Sequence, residues 1–222
     1  MLELFVQGIT KIVLGIILVG ALIFLPAGTI FFPNGILLMV VLFVPMFVAG
    51  IIMMFKSPEL LKRRLNAKEK QKEQGMVVKL SGLMFIAGFI TSGLDFRFGW
   101  SAVPKSVVII AVLIFLLAYL MYAEVIRENM YLSRTIEIQE NQKVIDTGLY
   151  SVVRHPMYTA TIFLFLSMPI ILGSVYAFLI FLVYPFIIAK RIKYEEEFLE
   201  KELDGYREYK KKVKYRLIPF VW

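Results

Sequence analysis

Residues 12–55 contain no charged side chain, and this run of 44 residues constrains the fold more than any other feature. Two further uncharged runs cover residues 106–123 and 155–189. A bilayer core of about 30 Å is crossed by roughly 20 helical residues. Backbone groups in lipid must be bonded internally, so only helices or closed barrels cross it. The runs lack the alternation of barrel strands. The sequence therefore predicts an all-α integral membrane protein.

About six transmembrane helices are predicted, the last two forming a short hairpin, followed by a cytoplasmic helical tail. The turn-rich residues 26–35 divide the longest run into two helices. Pro169 and Gly173 interrupt the last run and predict a hairpin turn at residues 169–174. The first four helices are expected at approximately 8–26, 35–55, 76–94 and 105–124, with the hairpin at 157–189. Residues 8–26 are interpreted as an uncleaved first span rather than a signal peptide.

Positive charge favours the hairpin over a single final crossing. Segments 56–79, 124–157 and 190–222 hold eight, four and ten of the 25 Lys and Arg residues. With a hairpin, these three segments lie on one side, and lysine- and arginine-rich loops face the cytoplasm. A single final crossing would place the ten Lys and Arg residues of segment 190–222 on the outer side of the membrane. Both termini are therefore expected on the cytoplasmic side of the membrane.

Composition excludes several kinds of chemistry. The chain has no cysteine and one histidine, so it has no disulfide, thiolate metal site, cysteine nucleophile or multi-histidine metal site. The net charge is +8. No basic stretch interleaved with aromatic residues is present, so we expect no nucleic-acid partner. The cysteine and histidine counts lead us to expect no metal.

The single histidine lies in the stretch TGLYSVVRHPMY, at residues 147–158. Pro156 is suited to the first turn of a helix, where a missing N–H costs nothing. Arg154 and His155 then form either a positive collar at the interface or an anion-binding helix start. Taken alone, the tripeptide favours the collar.

A second motif, RIKYEEEF at residues 191–198, follows the hairpin. One interpretation of this motif is a solvent-exposed helix face stabilised by ion pairs at i,i+4 spacing. The hairpin, however, returns Glu195 and Glu196 to the side of Arg154 and His155, where these groups could hold a ligand. Beyond this motif the tail composition predicts a helix that breaks or bends at Gly205 and ends at Pro219.

These motifs together resemble the isoprenylcysteine carboxyl methyltransferase and phospholipid N-methyltransferase superfamily. The resemblance covers residues 124–222 and rests on Gly-x-Tyr, Arg-His-Pro-x-Tyr, a hairpin of about 30 residues, and Arg-x-x-x-Glu-Glu with later tyrosines. It implies a catalytic region at 124–222 and an N-terminal four-helix region at 1–123, which carries the basic loop 56–79. Members often have Gly-His where Asn141 and Gln142 stand here.

The resemblance implies S-adenosylmethionine as cofactor, S-adenosylhomocysteine as product, and a lipid-like or small hydrophobic acceptor. Arg154 is expected to orient substrate or cofactor, and Asn129 to contact substrate. The implied cofactor contacts are Gly148, Tyr150, His155, Pro156, Tyr158, Arg191, Glu195 and Glu196. The acceptor and the oligomeric state stay open.

Two other functions compete with this prediction. Membrane reductases of the sterol type have a similar architecture and a late Arg-His motif, but bind reduced nicotinamide cofactor. The proline after His155 and the Glu195–Glu196 pair favour the methyl donor. A transporter or scaffold would show intramembrane charges, and the uncharged runs contain none.

Overall fold

The computed structural model describes residues 2–65, 72–132 and 138–222, which are α-helical apart from turns and connections. Residues 66–71 of the predicted basic loop and 133–137 of the polar segment lie outside these ranges. A short 3₁₀ helix covers Gly148–Ser151. The α-helices of the described residues are α1 (Leu2–Ala27), α2 (Pro33–Lys56), α3 (Pro58–Leu65), α4 (Lys72–Phe98), α5 (Lys105–Glu128), α6 (Pro156–Ile171), α7 (Val175–Phe181), α8 (Tyr184–Glu202) and α9 (Tyr206–Lys212).

Among the described residues, five helical stretches are long and apolar enough to cross a membrane. They are Glu3–Ala27, Pro33–Lys56, Gly75–Phe98, Lys105–Glu128 and Val175–Glu202. The apolar helix α6 has 16 residues and rises about 24 Å, which is short of the core thickness of about 30 Å. The prediction of an all-α integral membrane protein is confirmed. The sequence predicts about six spans and the described residues supply five, because α6, the first arm of the hairpin, is too short to count as one.

Close helix packing brings the N-terminal helices against the hairpin. A Cβ atom at Gly93 would lie 2.4 Å from the carbonyl oxygen of Ile23, so α4 touches the backbone of α1. The Phe181 ring similarly occupies the space beside Gly88. One hydrophobic core includes Ile23, Phe115 and Phe181. It therefore joins the region at 1–123 to the region at 124–222.

A buried carboxylate fixes the hairpin turn. Asp95, near the end of α4, is 2% exposed. It accepts hydrogen bonds from the Ser101 backbone N–H at 2.7 Å and from the Ser174 hydroxyl at 2.5 Å. Ser174 also caps α7, and Gly173 before it adopts a positive φ of 81°. The hairpin turn predicted at residues 169–174 occupies only residues 172–174, because α6 continues through Pro169 to Ile171. Asp95 ties this turn to α4.

The last helix of the tail, α9, ends earlier than predicted. Gly205 breaks the helix as expected, with a φ of 81°. However, α9 ends at Lys212, so the prediction that the helix continues to Pro219 is wrong. Instead, the tail runs beside the Arg-His-Pro motif, where Arg154 and His155 donate their backbone N–H groups to the carbonyls of Tyr215 and Arg216, both at 2.9 Å. Pairing with this motif replaces the hydrogen bonds of a continued helix.

We expect Gly93→Ala to lower the free energy of unfolding by about 1–3 kcal/mol, because the new methyl group would force α4 away from α1. Gly82→Ala, in the same helix with no atom within 4 Å of its Cβ position, is the matched control. It should leave stability equal or higher, since alanine favours helix. Thermal unfolding in detergent measures both. Equal midpoints for the two variants would contradict the close contact.

Candidate functional site

Two helix ends meet at the end of the hairpin opposite its turn. Helix α6 begins at Pro156, with His155 as its N-cap residue, as the sequence predicted. Proline is favoured there because the first turn needs no backbone donor. Helix α8 carries Arg191, Glu195 and Glu196 at this same end. The Arg-His-Pro motif and the glutamate pair are therefore brought together.

Glu196 is the centre of a buried ionic cluster. Its side chain is 2% exposed. Its Oε1 accepts from Arg154 Nε at 2.7 Å and lies 3.2 Å from His155 Nε2. Its Oε2 accepts from Arg216 Nε at 3.0 Å, with Lys210 Nζ at 3.6 Å. A buried carboxylate needs such partners, because an unpaired charge there is costly.

Arg154 extends this cluster into the tail. Its Nη1 donates to the backbone carbonyls of Val213 at 2.7 Å and Lys214 at 2.8 Å. Because the same guanidinium holds Glu196, it links the tail to α8. Arg154 therefore has a structural function in addition to any contact with a ligand.

A second polar cluster connects α6 and α8. Tyr158 donates its hydroxyl to Glu195 Oε2 at 2.5 Å and accepts from Arg191 Nε at 2.8 Å. Arg191 and Glu195 lie four residues apart on α8, so they share one helix face. This arrangement places a cation, a phenol and a carboxylate side by side.

A third cluster surrounds Tyr150 in the 3₁₀ helix. Its hydroxyl accepts from Asn129 Nδ2 at 3.0 Å, and its carbonyl accepts from the Tyr209 hydroxyl at 2.7 Å. Asn129 is the C-cap residue that directly follows α5. Burial raises the pKa of Tyr150 to about 12, so its hydroxyl keeps its proton at neutral pH. The hydrogen bonds of Tyr150 to Asn129 and Tyr209 join the end of α5 to the tail.

Gly148 has a local reason to be glycine. It adopts a positive φ of 53°, and a Cβ atom there would lie 3.1 Å from the Glu128 carboxyl carbon. Thr147 beside it donates its hydroxyl to Glu128. The turn fits against the end of α5, and this contact accounts for the glycine.

The clusters surround a cavity of about 870 Å³, a volume that includes its open mouth. Seven of the ten predicted site residues line it, namely Asn129, Tyr150, Arg154, His155, Tyr158, Arg191 and Glu195. The other three residues do not line the cavity. Gly148 packs on Glu128, Pro156 starts α6, and Glu196 is buried between Arg154 and Arg216. The ligand contacts assigned to all ten residues stay predictions.

Sequence reasoning assigned no role to several lining residues. The apolar ones include Leu132, Met157, Leu199 and Leu203, and the aromatic ones include Tyr206 and Tyr209. Gln142, where members of the superfamily often have histidine, also lines the cavity. The two tail tyrosines are three residues apart, and this spacing on one helix face is the signal that could have identified them.

We expect Glu196→Gln to lower the free energy of unfolding by about 3 kcal/mol, because Arg154 would keep a buried and uncompensated charge. Glu195→Gln is the adjacent control, and its half-buried side chain should cost clearly less. Thermal unfolding in detergent, without ligand, compares the two. A larger loss for Glu195→Gln would contradict the assignment of Glu196 as the buried centre.

The comparison with protein families agrees with these motifs. The sequence model of the phospholipid methyltransferase family matches residues 106–204, which run from α5 to just past α8 and contain all ten predicted site residues. No curated protein sequence is significantly similar to the chain. The matched family belongs to the isoprenylcysteine and phospholipid methyltransferase superfamily, so the resemblance drawn from the motifs is confirmed for this part of the chain. The match supports a membrane methyltransferase of the phospholipid or isoprenylcysteine type.

Proposed function

We propose that the protein is an S-adenosylmethionine-dependent methyltransferase that acts on a lipid-like acceptor partitioned into the membrane. The acceptor class is an isoprenylcysteine-type carboxylate or a phospholipid amine. The family match at residues 106–204 supports methyl transfer. The carrying observation is the cavity, which combines the Arg191–Tyr158–Glu195 cluster with an apolar wall.

The donor set of the cavity fits such a cofactor. The Glu195 carboxylate suits an ammonium or hydroxyl group, and the guanidinium of Arg154 or Arg191 suits a carboxylate. The apolar side chains of Leu199 and Leu203 offer a surface for a flat ring. These residues would hold the cofactor, with Asn129 and Tyr150 at the α5 side of the cavity. Binding sites commonly pair an apolar lining with a few polar groups in this way.

S-adenosylmethionine, when bound, supplies an electrophilic methyl group on a sulfonium. The protein's contribution is to align the acceptor and exclude water, since orientation is the main source of rate in such a displacement. A carboxylate acceptor needs no base. An amine acceptor must lose a proton, and in this proposal the Glu195 carboxylate, which accepts from the Tyr158 hydroxyl at Oε2, would take it.

The acceptor would enter from the bilayer side. Met157, at the start of the apolar helix α6, and Leu132 line the cavity together with the polar clusters. A lipid acceptor can therefore keep its hydrocarbon part in the bilayer while its head group lies beside Glu195. The lysine- and arginine-rich segments favour a cytoplasmic position for this end of the molecule.

Titration of the purified protein with S-adenosylhomocysteine, and separately with reduced nicotinamide dinucleotide phosphate, distinguishes the candidate functions. By calorimetry we expect binding of S-adenosylhomocysteine alone, because a nucleoside with an amino-acid end matches the polar and apolar groups of the cavity. Binding of the second alone would favour a membrane reductase. Binding of neither would favour a protein without catalysis.

In the same titration, Glu195→Gln should weaken S-adenosylhomocysteine binding by about 10- to 100-fold, the effect of losing one charge-assisted hydrogen bond. Glu197→Gln is the matched control, because Glu197 is exposed and does not line this cavity. It should bind as the unmodified protein does. Unchanged affinity for Glu195→Gln would remove that carboxylate from the site.

A further inference from the structure

The Tyr206 hydroxyl is a buried polar group without a partner. Tyr206 is the first residue of α9, is 4% exposed, and lines the same cavity as Glu195. Within the described part of the chain, its hydroxyl is buried and has no hydrogen-bond partner. Native proteins pair nearly all such groups, so each exception calls for an explanation.

The neighbouring tyrosines show that this wall can satisfy a phenol. Tyr209, three residues along the same helix, is buried as well, and its hydroxyl donates to the Tyr150 carbonyl at 2.7 Å. The Tyr150 hydroxyl is held by Asn129 at 3.0 Å. The rings of Tyr206 and Tyr209 lie 5.7 Å apart. Local shortage of polar groups therefore does not explain the unpaired hydroxyl.

The Tyr206 hydroxyl has a proton that it can donate in a hydrogen bond. Burial raises the pKa of Tyr206 well above its ordinary value, and the charges of Glu196 and Glu195 raise it further. The phenol therefore keeps its proton, and a ligand atom that accepts hydrogen bonds would pair it.

We infer that the Tyr206 hydroxyl donates a hydrogen bond to an oxygen of the bound cofactor, on its ribose or on its amino-acid carboxylate. The inference rests on the proposed function, since the cofactor is the ligand. It adds a binding residue from α9 to those of α6 and α8. The tail would thereby close one side of the site.

An unpaired hydroxyl that waits for a ligand has a distinctive signature on removal. Before binding, the hydroxyl makes no bond, so Tyr206→Phe removes only a desolvated polar group. The free protein should be as stable as before, or more stable. After binding, the variant lacks one hydrogen bond to the ligand. A residue with a purely structural function would lose stability in the free protein instead.

The experiment compares Tyr206→Phe with two controls, using S-adenosylhomocysteine as the probe. For Tyr206→Phe we expect an equal or higher unfolding midpoint without ligand. We expect affinity about three- to tenfold weaker if a ribose oxygen accepts, and about ten- to 100-fold weaker if the charged carboxylate does. Tyr209→Phe should lower the ligand-free midpoint, because its bond to Tyr150 is lost. Tyr176→Phe, in α7 and half exposed, should change neither quantity.

A second probe, 5′-methylthioadenosine, locates the acceptor because it lacks the amino-acid end. Equal weakening for both probes assigns the acceptor to the nucleoside, and weakening for S-adenosylhomocysteine alone assigns it to the carboxylate. Unchanged affinity in Tyr206→Phe, or a lowered ligand-free midpoint, would overturn this inference while the proposed function stands. Failure of the unmodified protein to bind either probe would overturn both.

Discussion

The carboxylate of Glu196 is the interaction on which the rest of the site depends. It is buried, and it holds Arg154 from the start of the hairpin and Arg216 from the tail. Without it, Arg154 would carry an uncompensated buried charge, which protein interiors tolerate poorly, and Arg216 would lose its carboxylate partner. Arg154 in turn fixes the tail through the carbonyls of Val213 and Lys214. The walls of the cavity are positioned by this one cluster.

The two adjacent glutamates have different environments because of helix geometry. Successive residues on an α-helix point roughly 100° apart. Glu196 therefore turns toward Arg154 and Arg216, while Glu195 turns toward Tyr158 and the cavity. In our account the first glutamate of the pair meets the ligand and the second holds the wall. The tail contributes to both, with Arg216 on the cluster and Tyr206 on the cavity.

The sequence predicted the features that come from hydrophobic length, turn residues and proline. The spans, the hairpin turn and the start of α6 at Pro156 all follow from these local signals. It could not predict which glutamate is buried, because that depends on how α8 rotates against α6. The helix of the tail ends before Pro219 because it pairs with Arg154 and His155, a contact between distant residues. The partners of Asp95 and the unpaired Tyr206 hydroxyl likewise depend on tertiary packing.

Methyl transfer to lipid tests the central claim most directly. The purified protein is incubated with methyl-labelled S-adenosylmethionine and vesicles made from total membrane lipid, and the lipid is then extracted. The account predicts label in the lipid phase and formation of S-adenosylhomocysteine in equal amount. Label that stays entirely in the aqueous phase, with no S-adenosylhomocysteine formed, would contradict it.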